Sequence, residues 1–231
     1  SKTPIYDLET KFPNYDPANF DWEFFWKMSV SSALNNSRNI PAIKMFYLAG
    51  WENSIVWFMK KLWVNSLKDH WNYWAPLALW TWEMTPLELA WAYSVFANMW
   101  KKVEINPILK IEDAKWNIIE EKSEDIEKEQ VISSGQAYIM NHILSDTSTR
   151  PEFWNPFLSI RWRKVAAKTW TSTKQYMRGW KKDIFPSNLW TVWYTPQITT
   201  VAWAWNTTGK ELNYKWNWIE WAWHIWQKLM D

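Results

Sequence analysis

Apolar residues recur at helical spacing in six stretches of the chain. In the third stretch, Asn53 to Leu62, they fall three or four positions apart and share one face of a helix. In the fourth, Thr85 is followed by Pro86 and by Glu88, an arrangement typical of a helix start. The pattern as a whole predicts helices near 29–36, 40–49, 53–62, 85–99, 133–145 and 218–230.

Shorter apolar runs predict β-structure, most of it in the second half of the chain. The run from Gln197 to Ala204 carries apolar Val201 and Trp203, which favours a strand in a covered antiparallel sheet. We expect a hairpin near 104–121 and strands near 163–171, 188–194 and 197–205.

Three segments show neither pattern. Residues 1–28 are polar and interrupted by prolines, so we expect an extended N-terminal segment. The segments Phe153–Trp162 and Tyr176–Pro186 are predicted to be loops beside a cleft. The remainder, residues 29–231, is expected to belong to one domain of the α+β class, an α/β sandwich in which helices flank an antiparallel sheet.

Tryptophan occupies positions where the pattern favours glycine. Trp63 follows two lysines and a leucine at the end of one predicted helix, and Trp100 follows another helix. Both are interpreted as the C′ position, where glycine is usual because the backbone turns left-handed. Trp116 lies in the predicted hairpin turn, which also requires a positive φ. A bulky residue in this region is a conformational outlier.

The composition suggests that this exchange is general. The 231 residues include 25 Trp and only 4 Gly. Our hypothesis is that the source reads the codon UGA as glycine, whereas the printed sequence renders it as tryptophan. The alternative is that tryptophan ends these elements through hydrophobic contacts.

Charge and composition exclude several classes of protein. A net charge of +2 with 48% hydrophobic residues excludes intrinsic disorder and a strongly basic nucleic-acid-binding protein. Cysteine is absent, so neither disulfides nor thiolate metal sites are expected. His70, His142 and His224 are not spaced as a ligand pair, and we expect no metal and no cofactor. No apolar run is long enough to span a membrane.

Four motifs carry the candidate chemistry. Two are short: Ser37-Arg38-Asn39, and Lys168-Thr169-Trp170-Thr171-Ser172, which becomes K-T-G-T-S if position 170 is glycine. Two are longer: with glycine restored, residues 79–90 become L-G-T-G-E-M-T-P-L-E-L-A and residues 189–196 become L-W-T-V-G-Y-T-P. All four motifs follow one another along the chain in the order in which one family of enzymes has them. From about Tyr15 onward, the chain therefore resembles the transpeptidase domain of class A (bifunctional) penicillin-binding proteins.

The resemblance implies an activity and its substrates. These enzymes are peptidoglycan D,D-transpeptidases, which join stem peptides ending in D-Ala-D-Ala through an acyl-enzyme and are inhibited by β-lactams. Residues 29–231 would then be the C-terminal portion of one such domain. The family's S-x-x-K motif, which holds the nucleophilic serine, is absent, so we expect the chain to be a fragment that is inactive alone. The parent protein is expected to carry an upstream glycosyltransferase domain and a membrane anchor, and to act outside the cytoplasm.

The resemblance also implies roles for the motif residues. Ser37 would pass a proton to the leaving amine, and Asn39 would bind a substrate amide. Lys168 would hold the proton network at Ser37 and help attract the substrate carboxylate. Thr169 would line the strand, and Thr171 and Ser172 would contact the substrate carboxylate, the Thr171 backbone N–H being an oxyanion-hole donor. The family has glycine at the position of Trp170, because the substrate lies beside this strand.

Two alternatives remain at the level of sequence. One is a relative that transfers the acyl group to water, namely a D,D-carboxypeptidase or a β-lactamase. The other is a non-catalytic, tryptophan-rich glycan-binding module, which would need exposed indoles in rows on one face. The resemblance further implies that Trp190, Trp203 and Trp226 are genuine tryptophans, since the family has tryptophan there.

Overall fold

The computed structural model describes residues 2–68, 73–79, 84–103, 105–122, 129–178, 181–213 and 227–228. Within these ranges the α-helices are α1 Val30–Asn35, α2 Asn39–Leu48, α3 Trp51–Lys61, α4 Pro86–Ala97, α5 Ser134–Leu144 and α6 Asn155–Leu158. The strands are β1 Pro4–Asp7, β2 Trp26–Ser29, β3 Lys101–Lys102, β4 Lys110–Glu112, β5 Ile118–Glu121, β6 Glu129–Gln130, β7 Ala166–Arg178, β8 Lys181–Tyr194 and β9 Thr199–Trp205. Most of the predicted helix near 218–230, and residues 80–83 of the motif at 79–90, lie outside the described residues.

Local sequence explains where α4 and α5 begin. Helix α4 starts with a capping box, in which the Thr85 side chain accepts from the Glu88 backbone and the Glu88 carboxylate accepts from the Thr85 backbone. Ser133 and Gln136 form the same arrangement before α5. Each box satisfies two backbone donors that a helix start otherwise leaves unpaired. The helices predicted in these regions are confirmed to within a few residues.

The main sheet is antiparallel, with the order β7-β8-β9. Its register pairs Trp170 with Trp190, and Trp190 with Trp203. One face packs against α4 and α5 through a core that includes Ala166, Val192 and Leu89. The other face is covered by a second cluster that includes α6 and the buried Leu212. Helices on an antiparallel sheet confirm the predicted α+β class.

The predicted loop Tyr176–Pro186 is wrong. Strands β7 and β8 continue as a two-stranded ribbon, with Tyr176 opposite Asp183 and Arg178 opposite Lys181, beyond a register shift after Ser172. Of the ribbon residues with described side chains, those of β7 are exposed and those of β8 are half-buried, so no fully buried face imposes an apolar alternation. A strand of this kind leaves no periodic signal in the sequence.

The predicted loop Phe153–Trp162 is also wrong in part. It contains the end of a 3₁₀ turn, Glu152–Trp154, and helix α6. Pro156 lies in the first turn of α6, where its missing N–H costs nothing, and Leu158 is buried against the sheet. A helix of one turn is too short to show helical spacing. The hairpin predicted near 104–121 is confirmed as β4 and β5.

Tryptophans adopt the left-handed backbone that the sequence predicts. At the end of α3, Trp63 has a φ of 63°, and the hydrogen bonds Trp63 N to Lys60 O (2.9 Å) and Val64 N to Met59 O (3.1 Å) form a Schellman motif. Trp116 has a φ of 66° in the hairpin turn.

The C′ position of α4 falls one residue earlier than predicted. Its C′ residue is Met99, with a φ of 56°, since Met99 N donates to Phe96 O (3.1 Å) and Trp100 N donates to Val95 O (2.8 Å). Trp100 therefore occupies C″ rather than C′. Its φ of 101° is nevertheless positive, so two consecutive residues need the conformation that glycine adopts most readily.

Candidate active site

Ser37 lies in the turn between α1 and α2. It is the C′ residue of α1: its backbone N donates to Leu34 O (3.1 Å), and Arg38 N donates to Ala33 O (3.0 Å). Its φ is 52°, which is uncommon for serine. The Schellman turn thus presents the Ser37 hydroxyl at the exposed end of a helix. Uncommon backbone conformations of this kind cluster at functional sites.

Lys168 lies near the start of β7, and its ammonium meets Ser37. Nζ donates a short hydrogen bond to Ser37 Oγ and a second, of 2.9 Å, to the backbone carbonyl of Thr169. The two residues are 131 positions apart in sequence. The structure therefore brings together the first residues of the two short motifs. Both were singled out from the sequence, where the resemblance implied that Lys168 holds the proton network at Ser37.

The environment of Lys168 favours its neutral form. Burial strips water from the ammonium, and the positive charge of Arg150 adds repulsion, so the pKa of Lys168 falls to about 7. A group with a pKa near neutrality can give up and take back a proton at physiological pH. This property suits a residue that relays protons, and such shifts are concentrated at functional sites.

Arg150 is the functional neighbour that the sequence did not reveal. Its guanidinium is buried and donates to Leu158 O (3.1 Å) and, by a shorter bond, to Leu144 O. Leu144 is the last residue of α5 and Leu158 the last residue of α6, so the Arg150 side chain links the C-terminal ends of both helices. An isolated arginine in a polar stretch has no pattern that distinguishes it from a solvated one.

The other motif residues occupy different parts of the site. Asn39 begins α2, and its side-chain amide donates to Ala18 O at 2.8 Å. Side chains along β7 alternate between the two faces of the sheet. Lys168 and Trp170 therefore share the face that packs against α4 and α5, whereas Thr169 is buried on the face that packs against α6. Thr171 and Ser172 are half-buried farther along the strand.

The indole of Trp170 begins a row across the sheet. It stacks on Trp190 with ring centroids 5.6 Å apart, Trp190 stacks on Trp203 at 4.8 Å, and Trp203 stacks on Trp205 at 3.9 Å. This row lies beside Lys168 on the same face. A side chain of this size at position 170 occupies the surface next to the Ser37–Lys168 contact.

Neither a metal cluster nor a membrane span is found in the part of the chain that the structure describes. No group of three or more His, Cys, Asp or Glu side chains is arranged there as a metal site. Nor is any of the described helices long and apolar enough to cross a bilayer. Of the three histidines, His70 and His224 lie outside the described residues.

Comparison of the sequence with known families gives a match over most of its length. Residues 13–217 match the model of the penicillin binding protein transpeptidase domain. Penicillin-binding protein 1A of Aquifex aeolicus (strain VF5) is 29% identical over 217 residues, covering 92% of this chain and 26% of the relative. Penicillin-binding protein 2D of Bacillus subtilis (strain 168) is 24% identical, covering 100% of this chain and 32% of the relative. The chain thus spans about a third or less of these relatives.

The fold matches solved members of the same family. The penicillin-binding protein PonA1 from Mycobacterium tuberculosis superposes with a TM-score of 0.81 at 17% identity, over 100% of this chain and 63% of that one. Penicillin-binding protein 1A from Haemophilus influenzae gives 0.74 at 19% identity, over 95% and 37%. The similarity to penicillin-binding proteins 1A agrees with the class A resemblance of the motifs. With its sequence matched over residues 13–217 and its fold shared with solved relatives, the chain belongs to the penicillin-binding protein transpeptidase domain family.

Proposed function

We propose that this chain supplies the C-terminal part of a peptidoglycan D,D-transpeptidase site, in which Ser37 and Lys168 form the proton relay. The contact between Lys168 Nζ and Ser37 Oγ is the observation that supports it most directly. A hydroxyl alone holds its proton far too tightly to relay it at neutral pH. A lysine with a pKa near 7 beside it provides both a donor and an acceptor.

The relay serves acyl transfer to a serine in the S-x-x-K segment, which lies outside this chain. That serine passes its hydroxyl proton to the lysine of the same S-x-x-K motif while its oxygen bonds to the penultimate D-Ala carbonyl carbon; the peptide C–N bond breaks, and D-Ala leaves. The departing nitrogen needs one proton, which Ser37 supplies while it takes a proton from Lys168. An amine from a neighbouring stem peptide then bonds to the acyl carbon and gives up one proton, and the serine oxygen regains a proton as it leaves, which completes the cross-link.

Strand β7 is suited to bind the substrate backbone. It is an edge of the described sheet, since β8 pairs with one side of it and no described strand pairs with the other. Edge strands accept extended peptides through main-chain hydrogen bonds. Thr169 would line this edge through its backbone, since its side chain is buried. Thr171 and Ser172, farther along the strand, would contact the carboxylate of the stem peptide. Asn39 would bind a substrate amide from the α2 side.

The remaining features of the proposal concern the whole protein. β-Lactams, which one solved relative binds as penicillin V, would acylate the same serine. The parent protein would lie outside the cytoplasm, held by a membrane anchor and preceded by a glycosyltransferase domain. These features are proposed by analogy with class A relatives, of which this chain spans about a third or less.

Acylation by a fluorescent penicillin tests the relay. The protein is the longer polypeptide of the same reading frame, with its S-x-x-K segment. Ser37→Gly removes the hydroxyl but keeps the left-handed backbone unstrained, and we expect it to slow acylation about 10²-fold. Met99→Gly makes the same backbone change at the end of α4 and should leave the rate unchanged.

Lys168→Met is the second test, with Lys164→Met as its control at an exposed position. Loss of labelling in Lys168→Met but not in Lys164→Met supports the relay. Normal labelling of both Ser37→Gly and Lys168→Met contradicts it. A reading frame without any S-x-x-K upstream would contradict the transpeptidase itself. Release of D-Ala without cross-links would favour the carboxypeptidase alternative.

A further inference from the structure

Arg38, the variable residue of the Ser37-Arg38-Asn39 motif, is buried in a charged cluster. Its side chain is 5% exposed, its Nε donates to Asp7 Oδ2 at 2.8 Å, and one terminal nitrogen donates to Asp21 Oδ2 at 2.6 Å. The other terminal nitrogen donates to the Glu23 carbonyl. The planar guanidinium therefore binds three partners in the N-terminal segment at once, a geometry that lysine cannot reproduce.

Asn19 extends this cluster to the start of α2. Its side-chain nitrogen donates to Asp7 Oδ1 and to Glu23 O, both at 2.8 Å. Its side-chain oxygen accepts from the backbone nitrogen of Asn39 at 2.9 Å and of Ile40 at 3.4 Å. Helix α2 has no side-chain cap of its own, so Asn19 caps it from a distant part of the chain.

The carboxylate of Asp7 is the centre of the cluster. It is 0% exposed, and its two oxygens accept from Arg38, from Asn19 and from the Phe25 backbone (3.1 Å). A buried charge is tolerated only when its partners are complete, so the loss of one partner is felt strongly. The two residues that follow Ser37 are thus fixed by residues 7–23, while Ser37 itself contacts Lys168.

We propose that Asp7, Asn19 and Arg38 are positioning residues that hold the Ser37 turn against Lys168. They act through Ser37 and do not touch substrate. The inference rests on the proposed function of the Ser37–Lys168 pair. It implies that the contact between Ser37 and Lys168 loosens when the cluster is disturbed, although the motif residues themselves remain unchanged.

The test compares two carboxylate-to-amide substitutions with a matched control. Asp7→Asn removes the central charge, and Asp21→Asn removes the outer ion pair, whose carboxylate is 40% exposed. Glu112→Gln makes the same change in the Lys110–Glu112 pair on the distant β4–β5 hairpin. The readouts are the pKa of Lys168, followed by NMR with Lys168→Met for assignment, and the rate of acylation by a fluorescent penicillin.

We expect Asp7→Asn to raise the Lys168 pKa towards its ordinary value, because a loosened contact readmits water around the ammonium. The limb of the pH profile on which Lys168 loses its proton should move to higher pH, and the rate of acylation at neutral pH should fall about tenfold because the contact that relays the proton is loosened. Asp21→Asn should change the Lys168 pKa and the acylation rate in the same directions but by less. Glu112→Gln should change neither the Lys168 pKa nor the acylation rate. Arg150, the charged group that also acts on Lys168, is unchanged in all three variants.

Each outcome decides the proposal. If Asp7→Asn lowers the melting temperature but leaves the Lys168 titration unchanged in the folded protein, the cluster is merely structural and the proposal is wrong. If Asp7→Asn does not fold, the Lys168 titration of the milder Asp21→Asn variant decides in its place. Failure of the wild type to be acylated would contradict the proposed function alone, since the Lys168 titration does not depend on acylation.

An independent observation concerns the identity of the tryptophans. Eight of the eleven described non-glycine residues with positive φ are tryptophans: Trp22, Trp26, Trp51, Trp63, Trp74, Trp100, Trp116 and Trp162. Six of the eight are more than half exposed, from 53% to 92%, so their indoles do not serve the core. A left-handed backbone at a residue whose side chain is mostly exposed is typical of glycine.

We infer that the polypeptide made by the cell carries glycine at these eight positions. The test is peptide mass spectrometry of the protein purified from its source, together with the codons of the gene. We expect glycine masses and UGA codons at the eight positions, and tryptophan masses and UGG codons at Trp190 and Trp203. Tryptophan masses at the eight positions, or UGG at all of them, would overturn the inference.

Discussion

At the residue scale, Lys168 combines a positive charge with a site that disfavours it. Burial and the charge of Arg150 lower its pKa to about 7, while the unfolded chain keeps a pKa near 10.4. Between these values the unfolded state binds more protons than the folded state. The stability that depends on Lys168 is therefore lowest below about pH 7 and rises as the pH increases towards about 10.

Replacing Lys168 by methionine tests whether the stability that depends on Lys168 rises with pH. Lys168→Met keeps the length of the side chain and removes the charge, so we expect it to be more stable than the wild type at pH 7. The advantage should shrink as the pH rises, by at most about 1.4 kcal/mol per pH unit. Urea unfolding at several pH values measures the difference, and Lys164→Met at an exposed position is the control. A difference independent of pH would contradict the lowered pKa.

Trp116 offers a prediction about backbone strain. Its φ is 66° and its side chain is 81% exposed, so the indole makes few contacts that could be lost. We expect Trp116→Gly to raise the free energy of unfolding by about 1–2 kcal/mol, because glycine adopts this conformation without a steric penalty.

The control for Trp116 should change in the opposite direction. Trp57 is 59% exposed within helix α3. Trp57→Gly should lower the free energy of unfolding by about 0.5–1 kcal/mol, through lower helix propensity and loss of the contact between Lys61 and the indole ring. Thermal unfolding of both variants measures the pair of changes. Stabilisation by Trp57→Gly, or destabilisation by Trp116→Gly, would show that backbone conformation does not govern these positions.

At the element scale, what could be predicted from the sequence depended on how local the cause is. The capping boxes before α4 and α5 and the Schellman motif after Lys61 each involve residues within six positions. The local amino-acid sequence is therefore sufficient to predict them. The α2 cap could not be predicted, because Asn19 lies 20 positions away from Asn39. The ribbon of β7 and β8 could not be predicted either, since it has no fully buried face.

At the site, the sequence motifs identified Ser37 and Lys168. They did not identify Arg150, whose charge acts on Lys168.

Helix α1 is tied to α5 by a similar long-range contact. The Asn35 amide donates to Ile143 O (2.8 Å), Asp146 O (3.3 Å) and Thr149 Oγ1 (2.6 Å), and the residue is buried. Asn35→Asp places a charged acceptor against these acceptors. We expect a loss of about 2–3 kcal/mol in the free energy of unfolding, since the donor is lost and a charge is buried.

The matched control for Asn35 uses an amide that serves only as an acceptor. Asn106 is exposed, and its oxygen accepts from Ile108 N at 2.9 Å. Asn106→Asp retains that acceptor, so its stability should change by less than about 0.5 kcal/mol. Denaturant unfolding of both variants compares the two. Equal effects would mean that the Asn35 contacts do not join α1 to α5.

At the scale of the whole molecule, the site exists only where three distant parts meet. The segment 7–23 anchors the motif around Ser37, the end of α5 holds α1, and β7 provides Lys168, 131 residues after Ser37. Helix α4, which packs on β8 and β9, joins the sheet to the helices. No local subset of these elements would bury Lys168, so the lowered pKa should be a property of the complete fold.

This dependence predicts a single transition. In increasing urea, the pKa of Lys168 followed by NMR should remain near 7 until the far-ultraviolet circular dichroism is lost, and then rise to its ordinary value at the same midpoint. Exposed Lys164, observed in the same spectra, should change little, because it is solvated in both states. If Lys168 regains its ordinary pKa at lower urea than the helices melt, the Ser37–Lys168 contact opens independently of the fold. The effect of the Asp7 cluster on this contact would then be measured through the local opening and not through the global free energy of unfolding.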